Sequence, residues 1–358
     1  MNKLFLMAIV VVALLTSLIM SDFAQPAPAA KTTPEKQWPS HISFVGGPAG
    51  SGAFIRTSGL VVLMSKYLNT SASAELVGAP AAQLSTLRAG KAEMAWPHMF
   101  AARQAYFGDP VWKGDPVDVR TVIAGPGSAF IIVADGGSGI KTFEDLRGKK
   151  VQVIQAAAGT QWMEVAFYYL LEAYGMTKND LRLLNWTSFE DMMNAIDSGT
   201  ADAGVSGTSP ATLSPAYKER DTRRPLRWVH TSPDKLKYVV EKMGSQVKIE
   251  NFPGGQLRLH PNPEPTLIQY QAVVARPDVP ESFIYSFLKM VFDEHHDEYL
   301  ALKGGIEVYN IPATIESAGS LPLHSGVVRY LKEKGLWNSQ LEAQQGKLVS
   351  EFGRMRKK

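Results

Sequence analysis

Leu87-Arg88-Ala89-Gly90-Lys91-Ala92-Glu93-Met94-Ala95 and Ile196-Asp197-Ser198-Gly199-Thr200-Ala201-Asp202-Ala203-Gly204 are two versions of one pattern. In each, a helical stretch stops at a glycine and gives way to a short strand that opens with alanine and an acid. A glycine just past the last helical turn takes the left-handed conformation without a Cβ clash, so both runs read as α-to-β transitions at one structural level. Their repetition predicts two α/β lobes of similar build. Two such lobes hinged over a cleft make a ligand clamp.

Outward from these runs, the strand-loop-helix order repeats. The fold is expected to begin at His41, where Ile42-Ser43-Phe44-Val45 leads into Gly46-Gly47-Pro48-Ala49-Gly50-Ser51-Gly52 and a helix with Leu60, Val61, Met64 and Leu68 at helical spacing. Glu75-Leu76-Val77 leads to Gly78-Ala79-Pro80 and a helix from Ala81 that carries Gln83. Lys150 to Gln155 leads to Ala156-Ala157-Ala158-Gly159-Thr160 and a helix with Met163, Phe167, Leu170 and Tyr174, closed by Gly175. Ala201 to Val205 leads to Ser206-Gly207-Thr208-Ser209-Pro210, with the proline near the first helical turn. Ligands of open α/β sheets sit outside the carboxyl ends of the strands, at loops such as these.

Thr142-Phe143-Glu144-Asp145 predicts a capped helix in the second lobe. Phe130 to Ala134 and Thr266 to Ala275 predict strands that cross between lobes, a double hinge. After the second, Asp278-Val279-Pro280-Glu281 is expected to cap a helix with Phe283, Ile284, Phe287 and Leu288 on one side. The expected organisation is a targeting segment at 1–29, a linker at 30–40, a first lobe of 41–130 with 266–358, and a second lobe of 131–265.

The chain of 358 residues is 45% hydrophobic, enough for two cores. A net charge of +3 with dispersed basic residues gives no reason to expect a nucleic-acid partner. Lys3 precedes an apolar run from Leu4 to Met20, then small residues and prolines, which predicts a signal peptide processed at Ala27-Pro28-Ala29 or near Ala24. The mature protein is then expected in the periplasm, with retention as an uncleaved anchor the alternative. With no cysteine in the sequence, disulfides and thiolate metal sites are excluded.

The first glycine loop has phosphate-loop spacing, yet Ala53 stands where the lysine belongs and Phe54 where the Ser/Thr belongs. Nucleotide hydrolysis is thereby excluded, and no cofactor is expected. Backbone N–H groups at a helix start remain, a setting for a carboxylate. Ser51 lacks the Gly-x-Ser-x-Gly elbow, because Ala49 breaks it. Arg56 is either a bidentate partner for a ligand carboxylate or a solvated surface arginine. His98, after Trp96-Pro97, either points into the cleft or is a buried histidine satisfied by backbone. Trp162 either closes over the ligand or belongs to the core. His295-His296, with Asp293, Glu294 and Asp297, reads as a charged helix face, since adjacent helical positions diverge by about 100°. The expected cleft comprises Ser51, Gly52, Ala53, Phe54, Arg56, Gly78, Ala79, Pro80, Gln83, His98, Gly159, Thr160, Gln161, Trp162, Gly207, Thr208 and Ser209.

Several segments together resemble the TAXI family, solute-binding receptors of TRAP (tripartite ATP-independent periplasmic) transporters. They are the opening strand and glycine loop through Ser51-Gly52-Ala53-Phe54; Gln83 to Glu93; Arg103-Gln104-Ala105-Tyr106-Phe107-Gly108; Leu146 to Val151; Ala158-Gly159-Thr160; and Asp197 to Ala203. The most specific is Leu321-Pro322-Leu323-His324-Ser325-Gly326-Val327 and the helix to Gly335. Membership would imply a type II periplasmic-binding-protein fold, a small carboxylate such as an amino acid or 2-oxo acid between the lobes, and delivery to integral membrane permease subunits driven by sodium. The sequence departs from the family at Phe54-Ile55-Arg56, Ala157-Ala158-Gly159-Thr160 and Trp96-Pro97-His98. The alternative is the same clamp serving an ATP-driven importer or a sensor kinase, and last comes an exported hydrolase. No enzymatic activity is expected.

Overall fold

The computed structural model describes residues 38–47, 51–109, 112–153, 162–186, 189–210, 213 and 215–355. The expected targeting segment, the tip of the first glycine loop, and Gly159, Thr160 and Gln161 lie outside them. Residues from Trp38 onward form one compact unit.

The strands are β1 (His41–Gly46), β2 (Ser71–Leu76), β3 (Met94–Ala95), β4 (Arg120–Asp135), β5 (Lys150–Val153), β6 (Arg182–Leu184), β7 (Ala203–Thr208), β8 (Leu226–Trp228), β9 (Val247–Phe252) and β10 (Glu264–Ala275). The helices are α1 (Gly52–Tyr67), α2 (Pro80–Arg88), α3 (Met99–Phe107), α4 (Trp162–Ala173), α5 (Phe189–Asp197), α6 (Pro215–Arg223), α7 (Pro233–Met243), α8 (Glu281–Lys289), α9 (His296–Leu300), α10 (Ile311–Glu316), α11 (Ser325–Glu333) and α12 (Ser339–Met355).

The strands join in the order β2-β1-β3-β10-β4-β7-β5-β6, with β8 on β4 and β9 on β10. Two five-stranded patterns overlap in that list. The first is β2-β1-β3-β10-β4, with β1 to β3 parallel and β10 antiparallel to β3. The second is β6-β5-β7-β4-β10, with β5 to β7 parallel and β4 antiparallel to β7. The long strands β4 and β10 belong to both patterns and exchange places between them. This is the type II periplasmic-binding-protein fold, two α/β lobes joined by a double hinge. The boundaries expected at 130/131 and 265/266 fall inside β4 and β10.

The two opening runs do equivalent jobs. Gly90 and Gly199 have φ of 67° and 71°, the left-handed values that end α2 and α5. The acid after each then clasps the first strand of its lobe. Ser43 N donates to Glu93 Oε2 at 2.8 Å while Glu93 N donates to Ser43 O at 3.1 Å. In the second lobe Lys150 N donates to Asp202 Oδ2 at 2.7 Å while Asp202 N donates to Lys150 O at 2.8 Å. A carboxylate accepting a backbone N–H satisfies a donor at the start of the strand ladder, which explains the acid at this position.

Helices cover both faces of each half, leaving four apolar clusters. Leu60, Val61 and Met64 of α1 pack with Phe283, Ile284, Phe287 and Leu288 of α8, as their spacing predicts. Across the sheet lie Leu84, Leu87, Met99 and Tyr106. In the second lobe Phe167 and Leu170 of α4 pack with Leu236 and Val239 of α7, and Met192, Ile196 and Tyr217 fill the other face. The closing Leu-His-Ser-Gly motif serves this packing too. His324 caps α11, its Nδ1 accepting from Gly326 N at 3.2 Å. Gly326 lets α11 lie on α8, since a Cβ there would sit 2.5 Å from Glu281 O.

Four local expectations are corrected. Thr142 begins only a 3₁₀ turn, Phe143–Leu146, because Gly148 at φ 74° redirects the chain into β5. Pro210 is not in a first helical turn; α6 starts at Pro215. The N-cap of α8 is Pro280 without a side-chain cap, while Asp278 is drawn off to Arg276 Nε at 2.9 Å. Strand β4 begins at Arg120 rather than Phe130, its pattern masked by Gly125-Pro126-Gly127.

Candidate ligand-binding cleft

A cavity of about 370 Å³ opens where α1, α2 and the loop before α3 meet β4, β10, the end of β7 and the 304–309 segment. It is lined by Ser51, Gly52, Ala53, Arg56, Gly78, Pro80, Gln83, His98 and Ser209 from the expected set. The loop-to-helix starts put them there. Ser51 caps α1, its hydroxyl accepting from Phe54 N at 3.2 Å. Pro80 occupies the first turn of α2.

Arg56 carries the positive charge of the cavity wall, and Glu307, which also lines the cavity, carries a negative one. Arg56 is 7% exposed, so it is not a surface arginine. Its Nη1 donates to Gly304 O at 2.6 Å and its Nη2 to Gln271 Oε1 at 2.9 Å, while Nε has no partner. The guanidinium carbon lies 4.7 Å from the centre of the Trp96 ring and 4.5 Å from that of Tyr309. Among the described residues no carboxylate pairs with it. Burial lowers its pKa, partly countered by Tyr309, Tyr299 and Glu307. A guanidinium has five N–H donors, and two are used here. The site thus holds a buried positive charge, fixed in direction by Gln271 and the aromatic rings, with donors in reserve.

Gln271, on β10, is the junction of this cluster. Its Oε1 also accepts from Tyr309 OH at 2.8 Å. Its side chain lies over Gly127 of β4, where a Cβ would come within 2.2 Å of Gln271 Cγ. Gly125 is as tightly met, with Val308 O 2.5 Å from its hypothetical Cβ. The charge therefore rests on the β4–β10 pair where Gln271 crosses Gly127.

His98 precedes α3 and makes no side-chain cap. Burial, and then the Arg56 charge, hold its pKa down at about 4, so it is neutral at pH 7. Gln83 Nε2 donates to Val77 O at 3.0 Å, leaving its Oε1 without a partner.

The remaining expected residues sit elsewhere. Phe54 packs against Gly46, outside the cavity lining. Ala79 and Trp162 border a smaller adjoining void, and Trp162 is 1% exposed within the second-lobe core, edge-on to Phe130. Gly207 and Thr208 are the last two residues of β7 and are absent from the cavity lining; Gly207 faces Ser128 and Met163. Sequence reasoning missed Trp96, Gln271, Gly304, Gly305, Glu307 and Tyr309, and the only signals for them were the Gly304-Gly305 pair and Gly125-Pro126-Gly127. No cluster of metal-ligating side chains occurs among the described residues.

The model of the NMT1-like family matches residues 46–335. Among solved structures, the periplasmic sulfonate-binding protein SsuA from Methylobacillus flagellatus KT, assigned to a sulfonate ABC transporter, is similar at 14% identity and TM-score 0.50, over 83% of this chain and 95% of that one. The periplasmic aliphatic sulphonate binding protein SsuA from Escherichia coli is similar at 14% identity and TM-score 0.44, over 89% and 88%.

Proposed function

Because the chain belongs to the NMT1-like family and folds as a periplasmic solute-binding protein, we propose that it is an extracytoplasmic receptor for a small organic anion. The observation that carries this reading is Arg56, a buried charge with no acidic partner among the described residues, facing a cavity between hinged lobes. A buried cation without a counter-ion is costly, and an anion entering from solvent supplies one. The ligand head is a carboxylate or a sulfonate. Reserve donors on Arg56 meet it, the neutral His98 adds no competing charge, and the lobes close around it.

Action is by binding and release, without turnover, after export to the periplasm under direction of the N-terminal apolar segment. Delivery is to membrane subunits of an importer. The ATP-driven class is the better supported, through the transporter to which the Methylobacillus protein is assigned. The sodium-driven TRAP class rests on the resemblance in the 321–335 segment. Uptake in vesicles that fails without ATP but survives collapse of the sodium gradient selects the first, and the converse selects the second.

The test of the receptor reading is thermal unfolding of the full-length protein against a panel of carboxylates and sulfonates. A ligand that binds only the folded state stabilises it by about 2.7 kcal/mol at a hundredfold excess over its Kd. Stabilisation by an anion that is not consumed, and that is lost in Arg56→Met, supports the proposal. Stabilisation that persists in Arg56→Met, or a ligand that disappears during the assay, overturns it.

A further inference from the structure

The wall of the Arg56 cavity carries one charge of each sign. Among its described lining residues only Arg56 and Glu307 have charged side chains, His98 being held neutral. Between Trp38 and Met355 the residues outside those described (48–50, 110–111, 154–161, 187–188, 211–212 and 214) include no Asp, Glu, Lys or Arg, so they add no further charge.

Glu307 is fixed relative to Arg56 by the segment that carries it. It lies in the 3₁₀ turn Ile306–Val308, whose first residue is fully buried and accepts from Tyr299 OH at 3.3 Å. Before the turn, Gly304 has φ 91° and its carbonyl takes Arg56 Nη1 at 2.6 Å. After it, Tyr309 OH reaches Gln271 Oε1, the same oxygen that holds Arg56 Nη2. The turn is thus pinned to the Arg56 cluster on both sides. The carboxylate lies over Gly305, with Oε1 3.9 Å from where a Cβ there would stand. Glu307 is exposed where Arg56 is buried, so the negative charge stands at the solvent side of the cavity and the positive charge at its inner side. Among the described residues the Glu307 carboxylate makes no ion pair or hydrogen bond, with Arg56 or with any other group.

A plain anion seated on Arg56 would lie beside a like charge, in a cavity where screening is weaker than in water. A cation on the same molecule turns that repulsion into attraction. We infer that the solute is a zwitterion, with its anionic head on Arg56 and, a few bonds away, an ammonium on Glu307, as in an amino carboxylate or an amino sulfonate. This rests on the anion reading of Arg56 and adds a second charged group to the ligand. Glu307 then acts on specificity in two ways, by pairing with the amine and by repelling the analogue that lacks it.

The test is calorimetric titration of the full-length protein with compounds that differ by one amino group: butanoate against 2-, 3- and 4-aminobutanoate, and ethanesulfonate against 2-aminoethanesulfonate. At least one amino compound should bind about tenfold more tightly than its amine-free partner, the worth of one hydrogen-bonded ion pair. Added salt should narrow the gap, because Glu307 is exposed. Glu307→Gln should close it from both sides, weakening the amino compound and strengthening the amine-free one. Structural damage would weaken both, so the opposite signs isolate the charge. Amine-free anions that bind as tightly as every amino derivative, or a preference unchanged in Glu307→Gln, overturn the zwitterion and leave the Arg56 reading standing. Binding that survives Arg56→Met, or failure of every compound to bind, overturns both.

Discussion

Gly127→Ala puts a methyl group where two hinge strands leave no room for one. The new Cβ would lie 2.2 Å from Gln271 Cγ, 2.5 Å from its Cδ and 2.8 Å from its Cβ. Rotation about the side chain cannot relieve the contact, because the Cβ of Gln271 is itself too close and its Oε1 is held by Arg56 and Tyr309. Either β4 and β10 separate, or Gln271 leaves Arg56. Overpacking costs about 1–3 kcal/mol, and loss of a hydrogen bond to a charged group about 1.5–3 kcal/mol. A destabilisation of about 2–4 kcal/mol is expected, since one response partly replaces the other. Urea unfolding of the full-length protein, followed by tryptophan fluorescence, measures it. Gly78→Ala is the control: nothing lies within 4 Å of a Cβ there, and the change should stay within about 0.5 kcal/mol. Gly127→Ala combined with Gln271→Ala removes two of the three clashing atoms and should be more stable than the summed single effects predict. A Gly127→Ala protein within about 0.5 kcal/mol of its parent, or strict additivity in the double variant, would refute the account of this junction.

Three further outcomes are expected. Glu93→Ala and Asp202→Ala should each cost about 1–3 kcal/mol by leaving the Ser43 or Lys150 N–H without its acceptor, and denaturation midpoints that fall in only one variant would break the equivalence of the lobes. Stability should fall with acid between about pH 6.5 and pH 4: burial holds His324 at about 4, the unfolded state takes up the proton first, and the contribution, up to about 3 kcal/mol, is complete above pH 6.5 and lost on the way down. His324→Gln should make that limb of a pH titration of the unfolding midpoint shallower, the remainder coming from His98, which burial also holds at about 4. Arg56→Lys should not restore anion binding, measured by calorimetry, because an ammonium cannot hold Gly304 O and Gln271 Oε1 in the planar geometry of a guanidinium.

The lobes, their α-to-β transitions and the helix-start half of the cleft were legible in the sequence because each depends on neighbours in the chain. Gly90 and Gly199 mark local conformations, Ser51 and Pro80 stand at helix starts whose position follows from periodicity, and His98 was placed by the short strand before it. The other half of the cleft was not legible. Gln271 sits in a strand whose neighbours, β3 and β4, come from much earlier in the chain, and Tyr309 reaches Arg56 from a segment without periodicity. Nothing local distinguishes Gln271 from any polar residue in a buried strand. Trp162 was ambiguous for a different reason: an apolar side chain at helical spacing fits a core as well as a cleft, and packing placed it in the core. For Arg56 the alternatives were a partner for a ligand carboxylate and a solvated surface residue, and its burial against two aromatic rings removes the second.

The exchange of β4 and β10 also sets an order of assembly. In the first lobe β3 and β4 are not neighbours; β10 lies between them and bonds to both. During synthesis the first-lobe strands therefore lack the strand that joins β3 to β4 until the chain has been made through Ala275, and α8 and α11, which share an apolar core with α1, come later still. Pairing of such sequence-distant elements is slow, because loop closure must precede the contacts that reward it. A chain built this way cannot close its first lobe until its last quarter is being made.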